Sequence, residues 1–260
     1  MLSVQSLTTS IGDLTLANGL SFDLKPGQVT AILGPNGTGK SSLLKTLFGD
    51  IKPESGEISF KGSCLSEQSL SKWRHLFGYM PQDIHLDVNL TVIEVVLLGR
   101  LDALSLSLSE EVLKEAIGIL DNIGLAELAN RDVRTLSGGQ RQMILFAQAL
   151  MRKPEIMMLD EPVSALDLHY QHVLLEHLSY ETVRQQYVTV MVLHDLNLAA
   201  QYADNLLVLK GGELVSVGHP TQVLTSSLIK DIYDVDANVI IDDSGRPFVR
   251  TLRSKIQCVA

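Results

Sequence analysis

Residues Gly34-Pro35-Asn36-Gly37-Thr38-Gly39-Lys40-Ser41 are spaced G-x-x-x-x-G-K-[ST], a pattern whose chemistry is the capture of phosphate oxygens. Glycines at these spacings let successive backbone N–H groups turn inward on one anion, and a helix starting behind them adds the positive end of its dipole. Lys40 is long enough to reach the outer phosphates, and the Ser41 hydroxyl is placed to ligate Mg²⁺. The bland alternative is a glycine-rich turn without ligand. It leaves unexplained why the loop stands between a strand-like run and a helix-like one.

Two further segments carry chemistry. The apolar run 156–159 ends in Asp160-Glu161, and paired acids at a strand's carboxyl end have distinct tasks in nucleotide hydrolysis. Asp160 would hold Mg²⁺ through water, and Glu161 would polarise the attacking water. Leu136-Ser137-Gly138-Gly139-Gln140 opens a helix with a hydroxyl and two glycines, a second ready anion site. One nucleotide does not need two such sites from one chain, whereas two chains arranged head to tail would use both. A plain helix cap, with glycines for tight packing, is the alternative reading.

An alternation of strands and helices must position these groups. Residues 4–9, 14–16 and 20–24 read as short strands between Gly, Asp and Asn turns. Residues 29–33 form a continuous apolar run, as in a strand covered on both faces. Residues 41–48 then read as a helix stopped by Gly49. From 91 to 128 the pattern changes: Val92, Val95, Val96 and Gly99 recur at helical spacing, and a second helix over 110–123 puts Leu113, Ile117 and Leu120 on one stripe. Ser107 with Glu110 fits a capping box, and Glu110 with Lys114 a favourable i,i+4 pair. This predicts a helical subdomain, residues 88–130, inserted into an α/β core of residues 1–87 and 131–260. Helices at 140–151, 168–185 and 196–203 then alternate with strands at 156–159, 188–193, 206–210 and 213–217, the last two around Gly211-Gly212. A final hairpin within 236–252 pairs 239–241 with 248–251 around Asp243-Ser244-Gly245.

At 260 residues, 45% of them hydrophobic and 20% charged, the chain suits an α/β domain with such an insert. A net charge of −9 argues against nucleic acid as the main partner, since a duplex binder needs a basic face. Cys64 and Cys258 are far apart and lack metal-ligand spacing, which predicts free thiols in a reducing compartment. No signal-peptide pattern is seen at the start. No run approaches the ~20 apolar residues that span a bilayer, so work at a membrane would require docking on another chain.

The order Gly34 to Ser41, Gln82 in Tyr79-Met80-Pro81-Gln82, Leu136 to Gln140, Asp160-Glu161, Ser164-Ala165-Leu166-Asp167 and His194 resembles the ATP-binding subunits of ABC transporters. The resemblance spans nearly the whole chain, and its five-residue segment from Leu136 to Gln140 is highly specific. It implies a P-loop NTPase core with an N-terminal antiparallel β-subdomain and an inserted α-helical subdomain. It also implies ATP and Mg²⁺ as ligands and a homodimer formed through the nucleotide sites. Nucleotide contacts would run from Gly34 through Ser42, completed by Ser137, Gly138, Gly139 and Gln140 of the second copy. Mg²⁺ would be held at Ser41, Gln82 and Asp160, and catalysis would fall to Glu161 with Gln82 and His194. Residues Ser164 to Asp167 would lie across the dimer seam.

Further segments, Thr91 to Arg100, His194-Asp195-Leu196-Asn197 through Gly218-His219-Pro220, and the tail around Asp231-Ile232-Tyr233, resemble the iron–siderophore, haem and cobalamin class of bacterial importers. This leads to the expectation of ferric siderophore uptake, with haem, cobalamin or zinc and manganese as alternatives. The implied partners are integral-membrane permease subunits and, indirectly, a periplasmic or surface substrate-binding protein; the implied location is the cytoplasmic face of the bacterial inner membrane. A non-transport ABC ATPase acting on ribosomes or DNA would bring two cassettes or a coiled-coil arm, and a P-loop kinase would leave Leu136 to Gln140 without a task.

Two positions depart from the family pattern. Ile11 stands where an aromatic usually stacks on adenine, and Val163 where a Thr is usual. His169 and His172, i,i+3 on a helix, have no flanking carboxylate or cysteine to complete a metal set and read as a solvated face.

Overall fold

The structure, a computed structural model, describes residues 1–12, 14–82, 87–103 and 109–253. Ser107 and Cys258 lie outside them. In chain order, β1 (Leu2–Ile11) and β2 (Leu14–Leu24) precede β3 (Gln28–Leu33) and α1 (Lys40–Phe48). Next come β4 (Ser55–Phe60), β5 (Ser63–Cys64), α2 (Leu70–His75), β6 (Phe77–Met80), α3 (Val92–Leu97), α4 (Glu110–Asn122) and α5 (Gly138–Met151). β7 (Ile156–Asp160), α6 (Leu168–Gln185), β8 (Val188–Val192), α7 (Leu196–Tyr202), β9 (Asn205–Lys210) and β10 (Glu213–Gly218) complete the main sheet. The chain ends with α8 (Pro220–Val223), α9 (Ser226–Tyr233), β11 (Ala237–Ile241) and β12 (Pro247–Thr251).

The main sheet has the order β10-β9-β3-β8-β7-β6. Its members pair in parallel except for the antiparallel edge β9–β10. Its apolar runs are continuous because both faces are covered. Ala31, Leu33, Met157, Leu159, Met191, Leu206 and Val208 point into one core, shared with the helices α3 to α7. Their neighbours Ile32, Ile156, Met158, Val190, Val192, Leu207 and Leu209 point into the other, shared with α1 and the N-terminal sheet. The strand period of two thus sorts a uniform apolar sequence into two layers. Strands of this kind end at one edge, and the chemistry-bearing loops follow β3, β6, β7 and β8 there.

The N-terminal sheet is antiparallel, ordered β2-β1-β4-β5. The expected short strands at 4–9, 14–16 and 20–24 are two long strands. β1 and β2 pair along their length, but with register shifts between Val4 and Leu7, Leu7 and Thr9, and Thr9 and Ser10. Ser6 adopts a positive φ of 47°. Bulges break the alternation, so the sequence pattern looks like interruption where the backbone only twists.

The segment over 88–130 carries α3 and α4, packed on α5. Its ends are tied together, with Val92 N–H donating to Arg131 O at 2.9 Å and Val133 N–H to Leu90 O at 3.1 Å. Thr91 and Glu94 form a capping box at the start of α3. At α4 the cap is Ser109, which accepts from Val112 N–H. The stripe expected from Leu113, Ile117 and Leu120 is corrected: Leu113 and Ile117 are exposed, whereas Ala116, Leu120 and the following Ile123 are buried. Val112, Ala116, Ile119, Leu120 and Ile123 form the packed face, one residue (about 100°) round the helix. The Glu110–Lys114 pair is present at 3.5 Å on the exposed side.

Gly49 caps α1 in the left-handed conformation (φ 83°), as its position in the sequence anticipates. Among the described residues no helix is long and apolar enough to cross a membrane, and no cluster of His, Cys, Asp or Glu could hold a metal ion. His172 is not simply solvated, since its Nδ1 lies 2.6 Å from the Tyr202 hydroxyl. Cys64 is a free thiol. A hydrogen bond to the Glu57 carboxylate holds its pKa up at about 11, which keeps the thiolate scarce.

Candidate functional site

The glycine-rich loop leaves β3 and enters α1 at Lys40. Gly39, the residue before the helix, sits at φ 88° and offers no side-chain cap. The first N–H groups of α1 therefore have no local side-chain partner and are available to an anion. Two glycines are required by space as well as by φ. A Cβ on Gly34 would come within 2.2 Å of Leu209 O, and one on Gly39 within 2.6 Å of Leu16 O. The loop is thus clamped between β9 and β2, and Thr38 Oγ1 donates to Pro35 O across it at 2.9 Å.

Lys40 is buried, and its ammonium donates to Gly34 O and Pro35 O, both at 2.8 Å. Burial lowers its pKa, while the nearby Glu161 and Asp160 carboxylates pull the other way. Asp160, at the end of β7, accepts from Ser41 Oγ at 2.9 Å. Its carboxyl is pushed above its ordinary range by burial, against that hydrogen bond, and with Glu161 adding to the push. Ser41 and Asp160, taken from two elements 119 positions apart, therefore present hard oxygen donors side by side, the chemistry that suits Mg²⁺.

Glu161 follows with φ 52°, a left-handed conformation that a non-glycine residue holds only when its surroundings enforce it. Its carbonyl accepts from Gln142 Nε2 at 3.1 Å and from Ser164 Oγ at 3.1 Å. Gln142 Oε1 also accepts from Ala165 N–H at 3.3 Å. The side chain of Glu161 reaches His194, whose Nε2 lies 2.6 Å from Glu161 Oε1. His194 comes from the turn after β8, where Leu193 N–H still donates to Ile32 O at 3.3 Å.

A cavity of about 600 Å³ is lined by Leu16, Asn36, Gly37, Gly39, Lys40, Ser41, Ser42, Gln82, Glu161 and His194. Asn36, Gly37, Gly39, Lys40, Ser41 and Ser42 of the loop, with Gln82, Glu161 and His194, meet around this one space, while Asp160 stands behind it, hydrogen-bonded to Ser41, and Gly34, Pro35 and Thr38 are not among its lining residues. Ser137, Gly138, Gly139 and Gln140 are not among its lining residues. They form the N-terminus of α5, where Ser137 Oγ accepts from Gln140 N–H and Gln140 Oε1 accepts from Ser137 N–H. Gly139 packs closely, since a Cβ there would sit 3.1 Å from Ala165 O, whereas Gly138 is open. Within one chain the segment is a complete helix cap, with Ser137 and Gly138 exposed. Ile11, at the end of β1, is 56% exposed, and Leu16 rather than Ile11 lines the cavity.

Sequence reasoning passed over several residues that support the site. Gln142 is buried in an otherwise apolar helix face with Met143, Phe146 and Ala149. A lone amide on such a face was the available signal. Tyr233, from α9, meets the backbone N–H of Gly34 at the start of the glycine-rich loop. Burial raises its pKa to about 12. Nothing in its local sequence points there.

The family model described as ABC transporter matches residues 17–164. The hemin import ATP-binding protein HmuV of Shewanella denitrificans is 39% identical over 256 residues, covering 96% of this chain and 100% of that protein. The protein of the same name from Escherichia coli O157:H7 is 35% identical over 251 residues, covering 94% of this chain and 96% of its own length. Among solved structures, a metal-chelate type ABC transporter in an inward-facing conformation superposes with a TM-score of 0.81 at 30% identity over 97% of each chain. A dimeric bacterial ABC transporter cassette superposes with a TM-score of 0.77 at 28% identity, over 84% of this chain and 98% of the other.

Proposed function

The chain belongs to the ABC transporter family as the ATP-hydrolysing subunit of an importer, and we propose that the cargo it serves is haem. The observation carrying this reading is similarity that runs almost end to end to relatives named for hemin import, well past the nucleotide motifs. The ferric siderophore expected from sequence is the second reading, favoured by likeness to a metal-chelate type transporter.

The roles proposed for the site residues are supported by its geometry. Lys40 now binds the carbonyls of its own loop; a γ-phosphate of ATP would take over those hydrogen bonds, with the loop N–H groups and Ser42 around the phosphate chain. Ser41, Asp160 and Gln82 would hold Mg²⁺. When bound, that ion would draw negative charge from the phosphate oxygens. Glu161 accepts the proton of the attacking water, and His194 holds Glu161 and the γ-phosphate in line. ADP and phosphate are the products. Gly138 and Gly139 of a second copy, with Ser137 and Gln140 shaping that helix start, would complete the site over the γ-phosphate. Residues 88–130 are the helical subdomain through which closure reaches integral-membrane permease subunits, on the cytoplasmic face of the inner membrane. A substrate-binding protein would deliver cargo on the other side. ATP favours the closed pair and its loss favours the open one, so each turnover resets the permease.

The test is reconstitution with the permease and a binding protein in liposomes, measuring ATP turnover with hemin-loaded and ferric-siderophore-loaded binding protein. Stimulation by hemin alone supports haem. Stimulation by the ferric siderophore alone overturns it in favour of the second reading.

A further inference from the structure

α7 is the element that carries the chain away from His194, and it is only 7 residues long, too short to hold a direction by itself. Its start is capped by Asp195, whose Oδ1 accepts from Asn197 N–H at 2.7 Å and Leu198 N–H at 3.1 Å. Leu198, Ala199 and Ala200 pack into the core and Tyr202 meets His172; the remaining polar ties that fix its direction come from the C-terminal hairpin. The Asn197 side chain acts as a strand residue would toward β12. Its Nδ2 donates to Val249 O at 3.2 Å, and its Oδ1 accepts from Val249 N–H at 2.7 Å.

At the other end of α7, Arg246 Nη1 donates to Ala200 O at 3.0 Å and to Ala203 O at 3.1 Å. These are carbonyls that a helix end leaves without intrahelical partners, and a cation is favoured there by the helix dipole. Arg246 is aimed by the hairpin turn itself. Asp242 Oδ1 accepts from Ser244 N–H at 2.9 Å, Ser244 Oγ at 2.6 Å and Arg246 N–H at 2.8 Å. The hairpin is thus hydrogen-bonded to both ends of α7, through Asn197 at one and Arg246 at the other, and the backbone leads from α7 through Asp195 to His194, which pairs with Glu161.

We propose that Asn197 and Arg246 are positioning residues for ATP hydrolysis, through which the C-terminal hairpin holds α7 and so sets His194 against Glu161. The proposal rests on the reading that His194 acts at the γ-phosphate. It predicts a separation of effects. The phosphate loop is clamped by β2 and β9, so loss of the hairpin's grip on α7 should lower turnover and leave ATP binding in place.

The experiment uses the full chain carrying Asn197→Asp, Arg246→Ala or Arg246→Lys, each alone and combined with His194→Ala, and measures kcat and ATP affinity separately. Asn197→Asp keeps shape and one hydrogen bond to Val249 but loses the donor to its carbonyl. The expected result is a kcat lowered about tenfold in Asn197→Asp and Arg246→Ala, with ATP affinity within about threefold, partial recovery in Arg246→Lys, and no further loss when either is added to His194→Ala. An equal loss of kcat in the His194→Ala background would show that the residues act by another route and overturn the proposal. Wild-type turnover in the Asn197 variant and both Arg246 variants beside an inactive His194→Ala would overturn it while leaving His194 its role. Wild-type turnover in His194→Ala itself would remove that role, and the positioning of it with it.

Discussion

His194 Nε2 lies 2.6 Å from Glu161 Oε1, so the two side chains share one hydrogen bond at the wall of the cavity they line with Lys40. The carboxylate that would take the water's proton is thereby held by a ring on an independent strand end. His194→Ala should leave Glu161 in place but unsteered. Steady-state assays are expected to show kcat reduced about 10²-fold, the size of effect of a positioned acid–base partner, with ATP affinity changed less than about threefold.

Asp160 places a carboxylate where burial resists its charge, so it should make the nucleotide-free protein less stable. Asp160→Asn keeps an acceptor for Ser41 and removes the charge; unfolding should shift upward by roughly 2–4 °C, about 1 kcal/mol, while turnover is lost. The pH dependence has a definite sign. The folded pKa lies above the unfolded value of 3.8, so the destabilisation is absent below that value. It grows as pH rises through the folded pKa and is constant above it. The gap in melting temperature between variant and wild type should therefore open between acid and neutral pH.

Gln142 joins α5 to the backbone of Glu161 and Ala165. Gln142→Leu would leave Ala165 N–H without its side-chain acceptor in a part-buried place, an effect of about 1–3 kcal/mol. Calorimetry should show melting lowered by roughly 2–12 °C. Turnover should fall more than ATP affinity, because the strained conformation of Glu161 loses one of its supports.

Among the described residues that line the cavity, Leu16 is apolar and none is Phe, Tyr or Trp, and Ile11 is exposed. Stacking on an aromatic contributes about 1 kcal/mol. Ile11→Tyr should therefore tighten ATP about five-fold in equilibrium binding, and the wild-type chain should bind GTP within about threefold of ATP.

Much of this arrangement is legible in the sequence because its signals are local. Gly34 to Ser41 lie in one loop whose glycine spacing has one physical use, and α1, α6 and the central strands follow from apolar runs bounded by Gly49, Asp167 and Asp160. What is not legible depends on distance. The bulged pairing of β1 and β2 hides the true strand lengths, and α4 turned by one residue because two apolar stripes compete along it. The supports of the site, Gln142, Asn197, Arg246 and Tyr233, act through backbone groups far along the chain. A single residue carries no trace of which carbonyl it will meet.

The account's central claim is that each ATP site is completed by two chains, with Lys40 from one and Ser137 to Gly139 from the other. The direct measurement mixes two variants, Lys40→Ala and Ser137→Arg, each expected to be inactive alone while Ser137→Arg still binds ATP. In a mixed dimer one site carries both defects and the other carries neither. The account predicts that the mixture regains ATP turnover, up to roughly a quarter of the wild-type rate, since random pairing makes half of the dimers mixed and each has one intact site. A mixture as inactive as its parents, or a Ser137→Arg protein that hydrolyses ATP alone at the wild-type rate, would contradict it.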